Sequence, residues 1–118
     1  AAGSFGYAYV PFVEKFEAFD AHAKALIDAV ARGDALQANS GERDDLAYLS
    51  CMPWLDYTAI NNALPGPDDC IPRVTWGKFA QGRAGWEMAM TLEVHHALVD
   101  GAQVGAYFAA VQEALDRI

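Results

Sequence analysis

The sequence predicts an α/β fold of the two-layer α+β sandwich type, in which a mixed β-sheet carries helices packed on one face. Short stretches with strand-like alternation are interleaved with two stretches of helical periodicity. The 118 residues are 53% apolar and 20% charged, which is typical of a single globular domain. Repeats and low-complexity tracts are absent from the sequence. We therefore expect residues 1–118 to form a single domain.

The first third of the sequence predicts a strand followed by a helix. Residues 5–9 alternate as a strand does, and Pro11 suits the first helical position. The apolar residues that recur at helical spacing are Phe12, Phe16, Phe19, Ala23, Leu26, Ile27 and Val30. Gly33 should end this helix, and the polar residues 34–45 indicate an exposed connection.

Three further strands and a second helix are expected in the remainder. Residues 46–52 predict one strand, and residues 73–79 and 86–95 predict an antiparallel hairpin after a Pro/Gly turn cluster. Alternation in the last strand places Glu93 and His95 on one face and Leu92 on the other. A final helix is predicted over residues 102–118, with an apolar stripe of Val104, Phe108, Val111 and Leu115.

Charge and cysteine content narrow the classes of function. Sixteen acidic residues against eight basic ones give a net charge of -8, which disfavours nucleic acid and anionic membranes as partners. Apolar runs of the roughly 20 residues needed to span a bilayer are absent, and the first residues lack an export pattern. Cys51 and Cys70 show no metal-binding spacing. We expect reduced thiols and a cytoplasmic protein.

The stretch EVHHALVDGAQVG, residues 93–105, carries the clearest chemistry. Histidine can abstract a proton near neutral pH, and the carboxylate of Asp100 can fix the local geometry. From these residues alone, a satisfied structural pair of histidines is favoured over a catalytic one. A shared metal ion is disfavoured, because His95 and His96 would point to opposite faces of a strand.

Three segments together bear a resemblance to a known family. HHALVDG, residues 95–101, resembles the HHxxxDG signature of the chloramphenicol acetyltransferase superfamily of CoA-dependent acyltransferases. MPWLDYTAIN, residues 52–61, is similar to its PWxxFTSF segment, and VTWGK with the later QG is similar to its FTMGK…QG hairpin. The order and separations of the three segments also agree. The resemblance implies the fold of that family and acyl transfer from an acyl-CoA.

The resemblance implies roles for individual residues. His96, the second histidine of the motif, would be the catalytic general base, and Asp100 would form a structural salt bridge with an arginine. Gly101 would serve the turn. Thr75 would hydrogen-bond a water near the intermediate. Lys78 would lie near the bound CoA, although a solvated lysine is equally compatible with its spacing.

Two departures from the family pattern are expected to weaken catalysis. Ala59 stands where the family has a serine that donates to the oxyanion, and loss of one such donor costs on the order of 10²–10³ in rate. The family's N-terminal region, which supplies the arginine partner of the motif aspartate, has no counterpart in these residues. We therefore expect this chain alone to be a poor catalyst.

The sequence thus predicts an acyl-CoA-dependent O-acyltransferase that acts on a small hydroxyl acceptor. By resemblance, acetyl-CoA would be the co-substrate, no cofactor or metal would be tightly bound, and the active site would lie between subunits of a homotrimer. One alternative is a catalytically impaired homologue that binds a ligand or CoA. A second is a dihydrolipoyl acyltransferase core, which DGAQVG favours and which the PWLDYT and VTWGK segments disfavour.

Overall fold

The computed structural model describes residues 6–34, 43 and 45–118. The chain divides into two compact units, Ala1–Arg43 and Asp44–Ile118. Among the described residues, no helix is both long and apolar enough to cross a membrane.

The first unit contains helix α1, Phe16–Ala31, which begins five residues after Pro11. Lys15 occupies the N-cap position without a capping side chain, and Glu17 in the first turn complements the helix dipole. The helix ends as the sequence predicts. Gly33 adopts a positive φ of 88°, its N–H donates to Val30 O, and the N–H of Asp34 donates to Ala29 O. This pair of bonds is a Schellman motif, in which the left-handed position favours glycine.

The predicted strand over residues 5–9 is not formed. Residues 6–10 have no regular structure, and Phe5 lies outside the described residues. Alternation alone does not make a strand, because the ladder needs a neighbouring strand to pair with. The predicted helical stripe is partly confirmed. Phe19, Ala23, Leu26 and Val30 are half-buried, whereas Phe16 and Ile27 are 65% and 57% exposed.

The second unit contains a three-stranded mixed sheet, a two-stranded sheet and a helix. The elements are β1 Tyr48–Cys51, β2 Arg73–Trp76, β3 Ala80–Gln81, β4 Trp86–Glu87, β5 Met90–Glu93 and α2 Gly101–Leu115. The larger sheet has the order β1-β2-β5, with β1 parallel and β5 antiparallel to β2. The smaller sheet pairs β3 with β4. The mixed sheet expected from the sequence is therefore confirmed.

The two strands of the predicted hairpin are each interrupted once, near Gly77. A side chain at Gly77 would meet Leu55 O at 2.7 Å, and the N–H of Lys78 donates to the same carbonyl at 2.7 Å. The N–H of Gly77 donates to Ala89 O at 2.9 Å. Leu55, in the segment that follows β1, thus accepts the hydrogen bond of Lys78, at the point where β2 would otherwise continue. The close approach requires glycine, because a Cβ would collide with backbone.

The three-stranded sheet has one apolar and one polar face. On the apolar face, Leu49 lies beside Val74, and Val74 is paired with Leu92. On the polar face, neighbouring strands align two rows, which are Tyr48, Arg73 and Glu93, and Ser50, Thr75 and Thr91. Of all described residues, only Val74, Thr75 and Gly77 are buried. The core of this unit is therefore centred on β2.

Helix α2 starts one residue before the predicted position and ends at Leu115. Its half-buried residues are Val104, Tyr107 and Val111. Phe108 and Leu115, which the sequence placed in the apolar stripe, are 37% and 41% exposed. Tyr107 rather than Phe108 is the half-buried position, and it lines one groove together with Gln103, four residues earlier. These two side chains line an apolar groove of about 460 Å³ with Val74, Leu92 and other residues.

Candidate active site

The two adjacent histidines lie in the turn between β5 and α2. The strand ends at Glu93, so the pair does not belong to the strand as the sequence predicted. Glu93 is paired with Arg73, the first residue of β2, and the residue before it is Pro72, which has no N–H to extend the ladder. The chain therefore turns. Two successive N–H groups, of Leu98 and Val99, donate to His95 O.

The half-buried ring of His95 has hydrogen-bond partners at both nitrogens. Its Nδ1 accepts from the N–H of Ala97 at 3.3 Å, and its Nε2 lies 3.2 Å from Pro67 O. A carbonyl can only accept, so Nε2 must hold the proton. His95 thereby joins the turn cluster before β2 to the turn that precedes α2. Both nitrogens are engaged in this structural contact.

The ring of His96 is exposed and has a different partner. Its Nδ1 lies 3.4 Å from Val99 O, which requires the proton to be on Nδ1. Within the described part of the chain, Nε2 of His96 has no hydrogen-bond partner. Whenever this imidazole is neutral, the unshared electron pair is therefore at Nε2. This tautomer is the one that a general base with an accessible Nε2 requires.

Both histidines line a depression of about 450 Å³ at the end of the sheet. Its other walls are supplied by Leu64, Asp69, Ile71, Arg73, Leu92, Glu93 and Val94. The lining combines aliphatic side chains with one cation, two carboxylates and two imidazoles. Such a mixed, concave surface can hold a small molecule that has both apolar and polar groups.

The cation of this depression is held by an ion pair. Both terminal nitrogens of Arg73 donate to the carboxylate of Asp69, at 2.9 and 3.0 Å, and the guanidinium lies 5.2 Å from the ring centre of Tyr48. The two side chains are only 12% and 11% exposed. The hydrogen bonds from Arg73 lower the pKa of the Asp69 carboxyl, and the same bonds raise the pKa of Arg73. The pair therefore stays charged at neutral pH.

Glu93 connects the end of β5 to the segment that contains Ala59. Its carboxylate oxygens accept from the backbone N–H of Asn62 at 3.3 and 3.2 Å, and also from the side-chain amide of Asn62. In the sequence, the strand alternation that places Glu93 on the same face as His95 is the feature that could have indicated Glu93 as a site residue. The ion pair of Asp69 with Arg73 joins residues that are only four positions apart. The contact between Asn62 and Glu93 spans 31 positions and has no local signal.

Asp100 and Gly101 form the start of α2. The Asp100 carboxylate accepts from the N–H of Ala102 at 2.8 Å, and Gln103 Oε1 accepts from the N–H of Asp100, which completes a capping box. Within the described ranges, Asp100 has no arginine partner. Gly101 is the first residue of α2, directly after the turn that the resemblance assigned to it. Its φ is not positive and a Cβ would meet open space, so other residues fit there too.

The remaining sequence-predicted residues do not line the histidine depression. Thr75 is 3% exposed at the centre of the polar face, and its carbonyl accepts from Tyr57 Oη at 2.8 Å. Lys78 is exposed just beyond β2. Ala59 is exposed between Tyr57 and Asn62. The structure thus gathers His95 and His96 in one place, and it leaves Thr75, Lys78 and Ala59 outside that place.

Comparisons with known proteins agree on one family. The chain matches the family described as chloramphenicol acetyltransferase over residues 2–112. A chloramphenicol acetyltransferase of Bacillus pumilus is 28% identical over 105 residues, covering 88% of this chain and 48% of the relative. One of Campylobacter coli is 24% identical, covering 97% of this chain and 56% of the relative. The chain spans about half the length of these relatives.

A solved structure shows the fold of this family. A chain described as chloramphenicol acetyltransferase superposes with a TM-score of 0.70 at 22% identity, covering 88% of this chain and 51% of its own length. The likeness confirms the predicted α/β fold. With the family match over nearly all of the sequence, it establishes that this chain belongs to the chloramphenicol acetyltransferase family.

Proposed function

We propose that this protein is an acyl-CoA-dependent O-acyltransferase of the chloramphenicol acetyltransferase type, with His96 as its general base. The observation that carries the proposal is the 3.4 Å contact between His96 Nδ1 and Val99 O, which engages Nδ1 and leaves Nε2 of the exposed ring without a hydrogen-bond partner among the described residues. His95 lacks this property, because both of its nitrogens already have partners. Family membership supplies the class of reaction.

In the proposed reaction, Nε2 of His96 accepts the proton of the acceptor hydroxyl as its oxygen attacks the thioester carbonyl of acetyl-CoA. The carbonyl carbon becomes tetrahedral and its oxygen becomes negative. Collapse of this intermediate breaks the carbon–sulfur bond and forms the ester. The imidazolium then returns the proton to the departing thiolate, so that CoA leaves as the thiol and His96 is neutral again.

The supporting residues are parts of the same proposal. Asp100 would hold the turn through its cap on α2, which fixes the backbone four residues after His96. Thr75 would orient a water near the intermediate, and exposed Lys78 would contact CoA. Ala59 offers no hydroxyl for the oxyanion, so we expect slower turnover than a serine at this position would give.

The acceptor and the assembly are also part of the proposal. A mixed depression of about 450 Å³ beside the histidines supports a small acceptor with apolar and hydroxyl groups. We propose the homotrimer that the family resemblance implies, in which a second subunit completes the site. Sedimentation at several protein concentrations measures this directly.

One different function has a specific observation in its favour. Because Ala59 lacks the oxyanion donor, the protein could bind CoA or a small ligand without turnover. Release of free CoA thiol from acetyl-CoA, measured with chloramphenicol and a panel of small alcohols, separates the two functions. Thiol release that requires both an acceptor and the protein supports the acyltransferase. Binding of CoA without acceptor-dependent release supports the ligand-binding protein, and acylation of dihydrolipoamide alone would favour a dihydrolipoyl acyltransferase core.

A further inference from the structure

The segment that carries Ala59 is attached to the three-stranded sheet on both sides of that residue. Two positions before Ala59, the hydroxyl of Tyr57 donates to Thr75 O at 2.8 Å. Three positions after it, both the backbone N–H and the side-chain amide of Asn62 donate to the carboxylate of Glu93. Residues 57–62 have no regular secondary structure. Their placement therefore depends on these contacts rather than on a strand or helix.

Glu93 is also the last residue of β5, two positions before His95 and three before His96. A shift of its backbone would move the turn that holds both histidines. The contact with Asn62 thus connects the histidine turn with the segment that carries Ala59, which is far from it in sequence. Charged acceptors form the stronger hydrogen bonds of proteins, and here both carboxylate oxygens are used.

The cation nearest to Glu93 in the sheet does not compete with Asn62 for hydrogen bonds to the Glu93 carboxylate. Arg73 lies opposite Glu93 in the antiparallel register, but its two terminal nitrogens donate to Asp69. Arg73 therefore supplies a favourable nearby charge without a hydrogen bond to Glu93 that would compete with Asn62. The arrangement leaves both carboxylate oxygens of Glu93 available to the two amide donors of Asn62.

We propose that Glu93 is a positioning residue for acyl transfer, which sets the place of residues 57–62, and with them Ala59, relative to His96. This inference rests on the proposed function. In such a role, Glu93 contacts neither the acceptor hydroxyl nor the thioester. Its loss should reduce the rate of the chemical step more than the binding of acetyl-CoA, because misplacement of reacting groups reduces rate steeply.

The test compares Glu93→Gln with Glu113→Gln, a matched change on the exposed surface of α2. Glutamine keeps the size of the side chain but has one acceptor oxygen instead of two. We expect Glu93→Gln to lower kcat about tenfold, with KM for acetyl-CoA unchanged within about twofold. Glu113→Gln should resemble the parent in both constants. An unchanged kcat in Glu93→Gln would overturn the proposal.

Exchanging the donor and acceptor roles of residues 62 and 93 should restore the activity that Glu93→Gln loses. In Glu93→Gln combined with Asn62→Asp, the glutamine amide can donate to the new carboxylate, and the net charge of the parent is retained. We expect the double variant to recover most of the kcat that Glu93→Gln loses. Asn61→Asp, at the exposed neighbouring position, should give no recovery when combined with Glu93→Gln. If the two changes act independently, the kcat of the double variant equals the value calculated from the two single variants. That result would contradict the pairing of Glu93 with Asn62.

Amide hydrogen exchange and NMR report on the contact between Glu93 and Asn62 without any need for activity, so they test this inference separately from the proposed function. We expect Glu93→Gln to speed exchange at the N–H of Asn62 and to shift the ring NMR signals of His96, whereas Glu113→Gln changes neither. If the parent shows no acyl transfer but these changes occur, the proposed function fails and the link between Asn62 and the histidine turn stands. If exchange and ring signals are unchanged, the positioning role fails whatever the activity.

Discussion

The two faces of the three-stranded sheet are made by the same strands and are held in different ways. The apolar face presents Leu49, Val74 and Leu92 toward a groove that α2 borders with Gln103 and Tyr107. The polar face carries directional contacts, which are the ion pair of Arg73 with Asp69 and the hydrogen bonds of Glu93 with Asn62. Burial is concentrated on β2, where the adjacent residues Val74 and Thr75 belong to opposite faces of the sheet.

This difference separates what stabilises the unit from what shapes its site. Apolar burial has no direction, so the apolar face contributes free energy of folding without fixing the place of any one loop. Charged hydrogen bonds depend on distance and angle, so the polar face fixes the segments that surround the histidines. Substitutions on the apolar face should therefore change stability first. Substitutions on the polar face should also change geometry and pH dependence.

The largest effect is expected for Val74→Asp. Val74 is 5% exposed, and an unpaired carboxylate there should destabilise the fold by about 3–5 kcal/mol. Leu49→Asp is the matched control, because Leu49 is beside Val74 on the same face but is 61% exposed. That change should cost about 1 kcal/mol. Thermal and urea unfolding, followed by circular dichroism, measure both. Equal losses in the two variants would show that burial on this face does not determine stability.

A smaller effect is expected when the ion pair of the polar face is broken. Asp69→Asn leaves Arg73 largely buried without its carboxylate and should cost about 1–3 kcal/mol at neutral pH. Because Arg73 lowers the folded-state pKa of Asp69, the stabilisation is complete above the ordinary value of 3.8 and is lost as the pH falls through the lowered value. The parent should therefore lose stability below about pH 4 more steeply than Asp69→Asn.

Asp68→Asn is the matched control for this measurement, since Asp68 is the exposed neighbour of Asp69. Urea unfolding between about pH 2.5 and pH 7 gives the slope for each protein. A variant Asp69→Asn with the same slope as the parent would mean that the ion pair does not contribute to acid stability.

The smallest effect is expected at the junction between the histidine turn and α2. Asp100→Ala removes the N-cap and should cost about 1 kcal/mol, whereas Asp100→Asn keeps a good capping side chain and should cost only a few tenths. Differential scanning calorimetry of both variants tests the capping role. If Asp100→Asn is as destabilising as Asp100→Ala, the negative charge itself is needed, as in a salt bridge with an arginine.

The sequence predicted those features that follow from local rules. The predicted end of the first helix at Gly33, the alternation that separates Leu92 from Glu93, and the position of the final helix were correct within a few residues. The interruption of the hairpin was not predicted, because it depends on the approach of Leu55 to Gly77 from 22 positions away. The strand over residues 5–9 failed for the related reason that periodicity does not supply a pairing partner.

The candidate site shows the same limit. The motif HHALVDG identified the two histidines by resemblance, but only the structure shows that His95 is engaged at both nitrogens. The contacts of Glu93 and His95 join residues 31 and 28 positions apart. These contacts depend on how the strands are paired and on where the loops lie beyond the strand ends. The hydrophobic pattern of a single strand does not determine the position of such loops.

The central claim is that His96, and not His95, is the base. The most direct test is the rate of acetyl transfer by His96→Ala and His95→Ala, measured as release of CoA thiol, with thermal unfolding of both. We predict that His96→Ala lowers kcat by about 10²–10⁴ and keeps the stability of the parent, because its ring is exposed. His95→Ala should lose stability, since two hydrogen bonds are removed, and should keep more activity than His96→Ala. Equal residual rates, or a larger loss of rate in His95→Ala, would contradict the account.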